Sequence, residues 1–189
     1  MSESARNVGG IGRNIGWRVA YLAAAGGIYF ADQMSKAWAV KRLRLGEVVN
    51  VVGDTVKFGY AENPGIAFGR FQEGGEFGRW MLSGLAALAV VGLLAYFFRT
   101  RRTEDRVLGA IALLLAGVAG NLTDRVRLGY VVDFIQVFIG SYQWPTFNIA
   151  DASICIGAGL LALDIILEGR AEGKKHKANA AQEAVTDGS

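Results

Sequence analysis

Residues Trp80 to Phe98 form a run of 19 consecutive residues without a charge, closed by Arg79 and Arg99. A helix needs about 20 apolar residues to cross a hydrocarbon core of roughly 30 Å, so this run constrains the fold more than any other feature. Val107 to Thr123 is a second uncharged run, of 17 residues, between Arg106 and Asp124. Two weaker spans flank them: Trp17 to about Ala39, and Phe147 to Leu167, which carries Asp151 and Asp164. Beside two definite spans both are long enough to cross, with Arg18 and Lys36 snorkelling toward opposite interfaces. The expected fold is a mainly α membrane protein of four transmembrane helices. The first helix, preceded by Arg13 and Arg18, is expected to be retained as an anchor rather than cleaved as a signal peptide.

Basic residues orient the bundle. Four arginines fall within residues 99–106, and Arg170, Lys174, Lys175 and Lys177 follow the last span, whereas residues 40–79 carry six Lys and Arg over a much longer stretch. The positive-inside rule then puts both termini in the cytoplasm and segments 40–79 and 124–146 on the outer face. Val48 to Tyr60, rich in β-branched and aromatic residues around a Gly-Asp turn, predicts a hairpin, and Gly129 to Ile139 a further strand. Together they make a small extracytoplasmic β-domain. The chain divides into a cytoplasmic tail over residues 1–16, a membrane domain over 17–167, and a solvated cytoplasmic tail over 168–189. Ala112, Ala116 and Gly120 recur every four residues, which suits close helix packing within one chain and predicts a monomer.

Composition excludes several chemistries. One cysteine, Cys155, and one histidine, His176, among 189 residues leave no disulfide framework, no Ser-His-Asp triad and no histidine- or cysteine-built metal site. No metal or other cofactor is expected. A net charge of +3 is too small and scattered for nucleic-acid binding. Ser35 and Lys36 point about 100° apart on a helix, so they do not form a dyad, and Cys155 is expected to be an inert core thiol.

Polar residues gather at one end of this topology: Asp32, Lys36, Asn63, Asn121, Asp124, Asp133, Asn148 and Asp151. Ionisable groups at membrane depth are costly, which makes them functional candidates. Asp32 and Lys36 are spaced i,i+4 for an ion pair. Asn121 and Asp124, like Asn148 and Asp151, are spaced i,i+3 and can lie side by side. Arg125 can pair with Asp124. Asn63-Pro64-Gly65 suits a tight turn close to the site. Asp133 and Asp151 lack a local cation and have apolar neighbours. Two such carboxylates brought together share a proton, one acting as base on water while the other donates to a carbonyl oxygen. A small transporter or channel is the alternative, but among the polar groups only Asp164 lies deep, near the inner interface.

The segments Asp32-Gln33-Met34-Ser35-Lys36, Asn63-Pro64-Gly65-Ile66-Ala67-Phe68, Gly120-Asn121-Leu122-Thr123-Asp124-Arg125, Val132-Asp133-Phe134 and Phe147-Asn148-Ile149-Ala150-Asp151 resemble, in order, the motifs of lipoprotein signal peptidase (signal peptidase II). The resemblance implies a bacterial inner-membrane aspartic peptidase with its active site near the outer face and Asp133 and Asp151 as catalytic pair. It implies support from Asp32, Lys36, Asn63, Gly65, Ala67, Phe68, Gly117, Asn121, Asp124, Arg125, Asn148 and Ala150. It also implies a diacylglyceryl-prolipoprotein substrate drawn from the phospholipid bilayer, cleavage just before the lipidated cysteine, and inhibition by globomycin. The outer hairpin and the Asn63 loop, with Phe68, are expected to cover the site as a lid.

Overall fold

A computed structural model describes residues 3–65 and 75–186 of the chain. Four helices, α1 (Glu3–Leu43), α2 (Gly75–Arg99), α3 (Asp105–Leu128) and α4 (Ile149–Thr186), carry a four-stranded sheet of β1 (Val48–Val52), β2 (Val56–Asn63), β3 (Val131–Ile139) and β4 (Tyr142–Gln143). Three helical segments are long and apolar enough to cross a membrane: Glu76–Arg99, Asp105–Leu128 and Ile149–Gly173. In the first and last of these, large apolar side chains point outward, Leu88 and Ile165 each being 71% exposed. An apolar surface of that kind is stable against lipid rather than water. The first helix falls outside this set because it carries Asp32, Gln33 and Lys36.

α3 is the axis of the bundle and packs against α1, α2 and α4. Small residues permit this: Ala25 of α1 is buried against Ala112 and Ala116. At the end of the bundle remote from the sheet, Arg106 Nε meets Asp164 at 2.8 Å. Arg18 there donates to the Phe98 carbonyl at the end of α2, at 3.0 Å, and stacks over Trp17. An arginine that satisfies an orphan helix carbonyl explains how this charge is accommodated.

The strands run antiparallel in the order β1-β2-β3-β4, with Ala61 opposite Asp133. The predicted hairpin forms around Gly53 (φ 50°), and β2 runs three residues further than expected, to Asn63. The sheet rests on the end of α1 through edge-to-face contacts of Trp38 with Phe58 (5.7 Å) and Phe134 (6.4 Å). Ala39, Leu43, Val132 and Phe134 are buried beneath it.

Several expectations require correction. α1 begins at Glu3 and α4 continues to Thr186, so both predicted tails are largely helical. The C-terminal stretch is rich in Ala, Lys and Glu without proline, residues that favour helix. Lys36 does not snorkel outward; it is buried at 3% exposure in a polar cluster. Cys155 is exposed rather than core, because it lies on a face of α4 turned away from α3. Ala67 and Phe68, and with them the part of the predicted lid beyond Gly65, lie outside the described residues.

Candidate active site

The start of α4 organises the site. Phe147 pairs with Ile135 of β3 as an isolated bridge, which brings the next residue, Asn148, alongside Asp133. Asn148 caps the helix: its Oδ1 accepts the Asp151 N–H at 2.8 Å, and Asp151 Oδ2 accepts the Asn148 N–H at 3.2 Å. This reciprocal capping box satisfies two backbone donors that a helix start leaves unpaired. Asp32 Oδ1 takes another, the Ala150 N–H, at 2.9 Å. The i,i+3 spacing of Asn148 and Asp151 is therefore a cap, not a pair on one helical face.

Two carboxylates face this cap. Asn148 Nδ2 donates to Asp133 Oδ1 at 2.7 Å, and Asn63 Nδ2 to Asp133 Oδ2 at 2.9 Å. Asn121 Nδ2 donates to Asp151 Oδ1 at 2.7 Å. Asn63 is itself oriented by the Gly65 N–H on its Oδ1 at 2.9 Å. Gly65 has φ 93°, and a Cβ there would stand 2.6 Å from Leu82 Cδ1 and 3.1 Å from Arg125 Nη2, so glycine is needed twice over. All four carboxylate oxygens thus accept an N–H. Among the described residues neither aspartate forms an ion pair, as the sequence suggested.

Burial pushes the Asp133 carboxyl up to about 6; the Asp151 charge adds to the rise, and the Asn63 and Asn148 amides and Lys36 oppose it. This sets an expected result. Below the unfolded value of 3.8 the group is neutral in both states, and above about 6 the folded protein bears a buried charge. Wild type therefore loses stability as pH rises through that window, by about 3 kcal/mol for a shift of roughly two units. Asp133→Asn escapes that loss, although it forfeits one amide hydrogen bond at every pH. Thermal unfolding in detergent should show the variant gaining on wild type between pH 4 and pH 6, then holding level. A difference that stays flat across the window would contradict the burial of a titrating carboxyl.

Behind the pair lies a buried charge cluster. Lys36 Nζ contacts Asp32 Oδ2 and Asp124 Oδ2, each at 2.9 Å, and Asn121 Oδ1 at 3.0 Å. Gln33 Nε2 reaches Asp32 Oδ2 and Asp124 Oδ1, both at 3.2 Å, and the Gly120 carbonyl. Asp124 Oδ2 also accepts the Val132 N–H at 3.2 Å, which ties α3 to the first turn of β3. The predicted Asp32–Lys36 pair is present. The predicted Arg125–Asp124 pair is not, since neighbouring helical residues diverge and Asp124 turns to Lys36. Among the described residues Arg125 reaches only its own helix, Nη1 to the Asn121 carbonyl at 3.5 Å, and its Nε is buried without a partner there. Asn121 likewise serves Asp151 rather than Asp124.

Asp32, Lys36, Asn63, Asn121, Asp124, Asp133, Asn148, Ala150 and Asp151 are thus brought together, with Gly65 and Arg125 at the edge. Gly117 is further down α3, where a Cβ would collide with the Ala150 carbonyl and the Ile154 side chain. Two contributors were not singled out from the sequence. Gln33 bridges both carboxylates of the cluster, and a Cβ on Gly120 would meet Asp32 Oδ2 at 2.6 Å. Two buried carboxylates with one lysine signalled the first, since such a cluster needs a further donor.

The chain is similar to known proteins in sequence and in fold. The family described as Signal peptidase (SPase) II matches residues 24–167. The lipoprotein signal peptidase of Syntrophus aciditrophicus is 36% identical over 149 residues, which cover 78% of this chain and 92% of that protein. That of Alteromonas mediterranea is 33% identical over 90% of each chain, and that of Shewanella baltica 38% identical over 77% of this chain and 84% of its own. A bacterial membrane enzyme solved by the in meso method at 1.9 Å superposes with a TM-score of 0.69 at 29% identity, over 77% of this chain and 92% of that one.

Proposed function

This chain belongs to the signal peptidase II family, aspartic peptidases that remove signal peptides from prolipoproteins, and we propose that its own catalytic pair is Asp133 and Asp151. The observation that carries this reading is that one residue, Asn148, donates to both carboxylates, through its side chain and its backbone. A water held between them gives its proton to Asp151 as its oxygen attacks the scissile carbonyl carbon. Asp133 donates its proton to the carbonyl oxygen. Collapse of the tetrahedral intermediate breaks the C–N bond as the proton on Asp151 goes to the departing amine and a hydroxyl of the intermediate returns its proton to Asp133, leaving the new carboxyl group. The division of labour follows the surroundings. Asp133 is driven toward its neutral form by burial, and Asp151 lies in the first turn of α4, where helix dipole and N–H groups welcome negative charge.

The substrate is a prolipoprotein whose cysteine bears diacylglyceryl, cut just before that cysteine. The helical signal peptide and the acyl chains enter laterally from lipid. α1 makes a fourth span: Val19, Phe30 and Met34 are exposed at 55%, 64% and 55%, whereas its charged Asp32 and Lys36 turn inward. The arginines of residues 99–106 put the α2–α3 connection in the cytoplasm, hence both termini as well. The sheet and the aspartates then face outward from the inner membrane of a bacterium. α3 is surrounded by helices of its own chain, which favours action as a monomer. Asp164, paired with Arg106, lines no polar path of the kind a transporter requires.

The test is cleavage of a prolipoprotein with and without its diacylglyceryl group by the purified protein, read as a gel shift. Cleavage confined to the lipidated form and blocked by globomycin is expected. Equal cleavage of both forms would overturn the substrate assignment.

A further inference from the structure

Three asparagine amides point N–H groups at the two aspartates, and each is held in that orientation by a donor on its other side. For Asn63 the donor is the Gly65 N–H, and for Asn148 it is the Asp151 N–H, both backbone groups. For Asn121 it is a side chain, the Lys36 ammonium at 3.0 Å. An ammonium has three donors and no acceptor, and the three here are spent on Asp32, Asp124 and Asn121. The Asn121 oxygen must therefore face Lys36, since a flipped amide would set N–H against N–H. Among the described residues the only other donor to that oxygen is Asn148 Nδ2 at 3.2 Å, which also serves Val132 O and Asp133 with its two hydrogens.

We propose that Lys36 is a positioning residue for peptide hydrolysis: by occupying the Asn121 oxygen it turns the Asn121 N–H onto Asp151 and so keeps Asp151 ready to accept the proton of water. This rests on the catalytic pair proposed above. Without the ammonium, the Asn121 amide flips and offers its oxygen, to which only a protonated Asp151 can donate. The other charged groups around Asp151 are Asp32 on α1, Asp124 and Arg125 on α3, and Asp133 on β3.

The cluster Asp32, Asp124 and Lys36 carries −1 − 1 + 1 = −1. Asp32→Asn combined with Lys36→Met leaves Asp124 alone, again −1, so this pair of changes removes the donor at constant charge and leaves no unpaired twin carboxylates. The experiment is the pH profile of kcat/KM for the double variant, Lys36→Met, Asp32→Asn and wild type, on a diacylglyceryl-prolipoprotein. The acidic limb should move up by about one pH unit in both proteins lacking Lys36 and stay in place in Asp32→Asn. At a pH on that limb, activity falls about tenfold more than on the plateau. A loss of activity spread evenly over pH, with the limb unmoved, would overturn the proposal and leave Lys36 as scaffold. If instead Asp151→Asn still cleaves, the catalytic pair itself is wrong, a failure separate from an unmoved limb.

Discussion

Asp133→Asn and Asp151→Asn each lower kcat/KM for a diacylglyceryl-prolipoprotein by about 10⁴-fold, the upper range for removing a group that moves a proton in the transition state. The two losses do not add. The double variant is no worse than either single one, because a shared proton needs both partners. Asparagine preserves the shape of each site but not its acceptors. At residue 133 its amide nitrogen must face the amide of Asn63 or Asn148, and at residue 151 that of Asn121 or the Asn148 N–H. Part of any loss is thus structural, and thermal unfolding beside the cleavage assay separates the two. Near-normal cleavage by either folded variant would remove that aspartate from the mechanism and bring Asp124 forward.

Gly117→Val should be nearly as damaging, although it introduces no charge and touches neither aspartate. A Cβ on Gly117 would lie 2.7 Å from Ile154 Cγ1 and would also meet the Ala150 carbonyl. A backbone carbonyl cannot step aside as a flexible side chain can, so α4 must move away from α3. The expected cost is about 3 kcal/mol of stability, the upper end for overpacking. The first turn of α4 carries Ala150 and Asp151, so the shift also draws Asp151 from Asn121, and a displacement of about 1 Å can cost roughly 10²-fold in rate. Gly109→Ala, on the same helix with nothing within 4 Å of its Cβ position, is the matched control and should change neither property much. Unfolding temperature and cleavage rate decide the matter: a Gly117 variant as stable and active as the control would show that the seam tolerates a side chain.

Some of the site was legible because its residues have few other reasons to be where they are. Asp133 and Asp151, flanked by apolar residues and without a local cation, stood out before any coordinates. So did Asp32 and Lys36 at i,i+4. Asp124 and Arg125 misled because adjacency in sequence is separation on a helix. Asn148 misled because the last span was started at Phe147, two residues before α4 begins at Ile149, which turned a cap into a helical neighbour. Gln33 was only faintly signalled, by the need of two carboxylates and one lysine for a further donor, since its role exists only where carboxylates from different helices converge.

Charge-free runs and their basic ends were enough to establish a membrane bundle, and alternation around Gly53 was enough for the hairpin, because both depend on local transfer and turn energetics. The identity of the two unpaired aspartates was equally local: a carboxylate without a cation among apolar neighbours declares itself. Which donor each carboxylate receives was decided by the tertiary structure alone. An amide can turn either way, and its direction is chosen by whatever faces its other end: Gly65 N–H for Asn63, Asp151 N–H for Asn148, and for Asn121 a lysine 85 residues away in sequence.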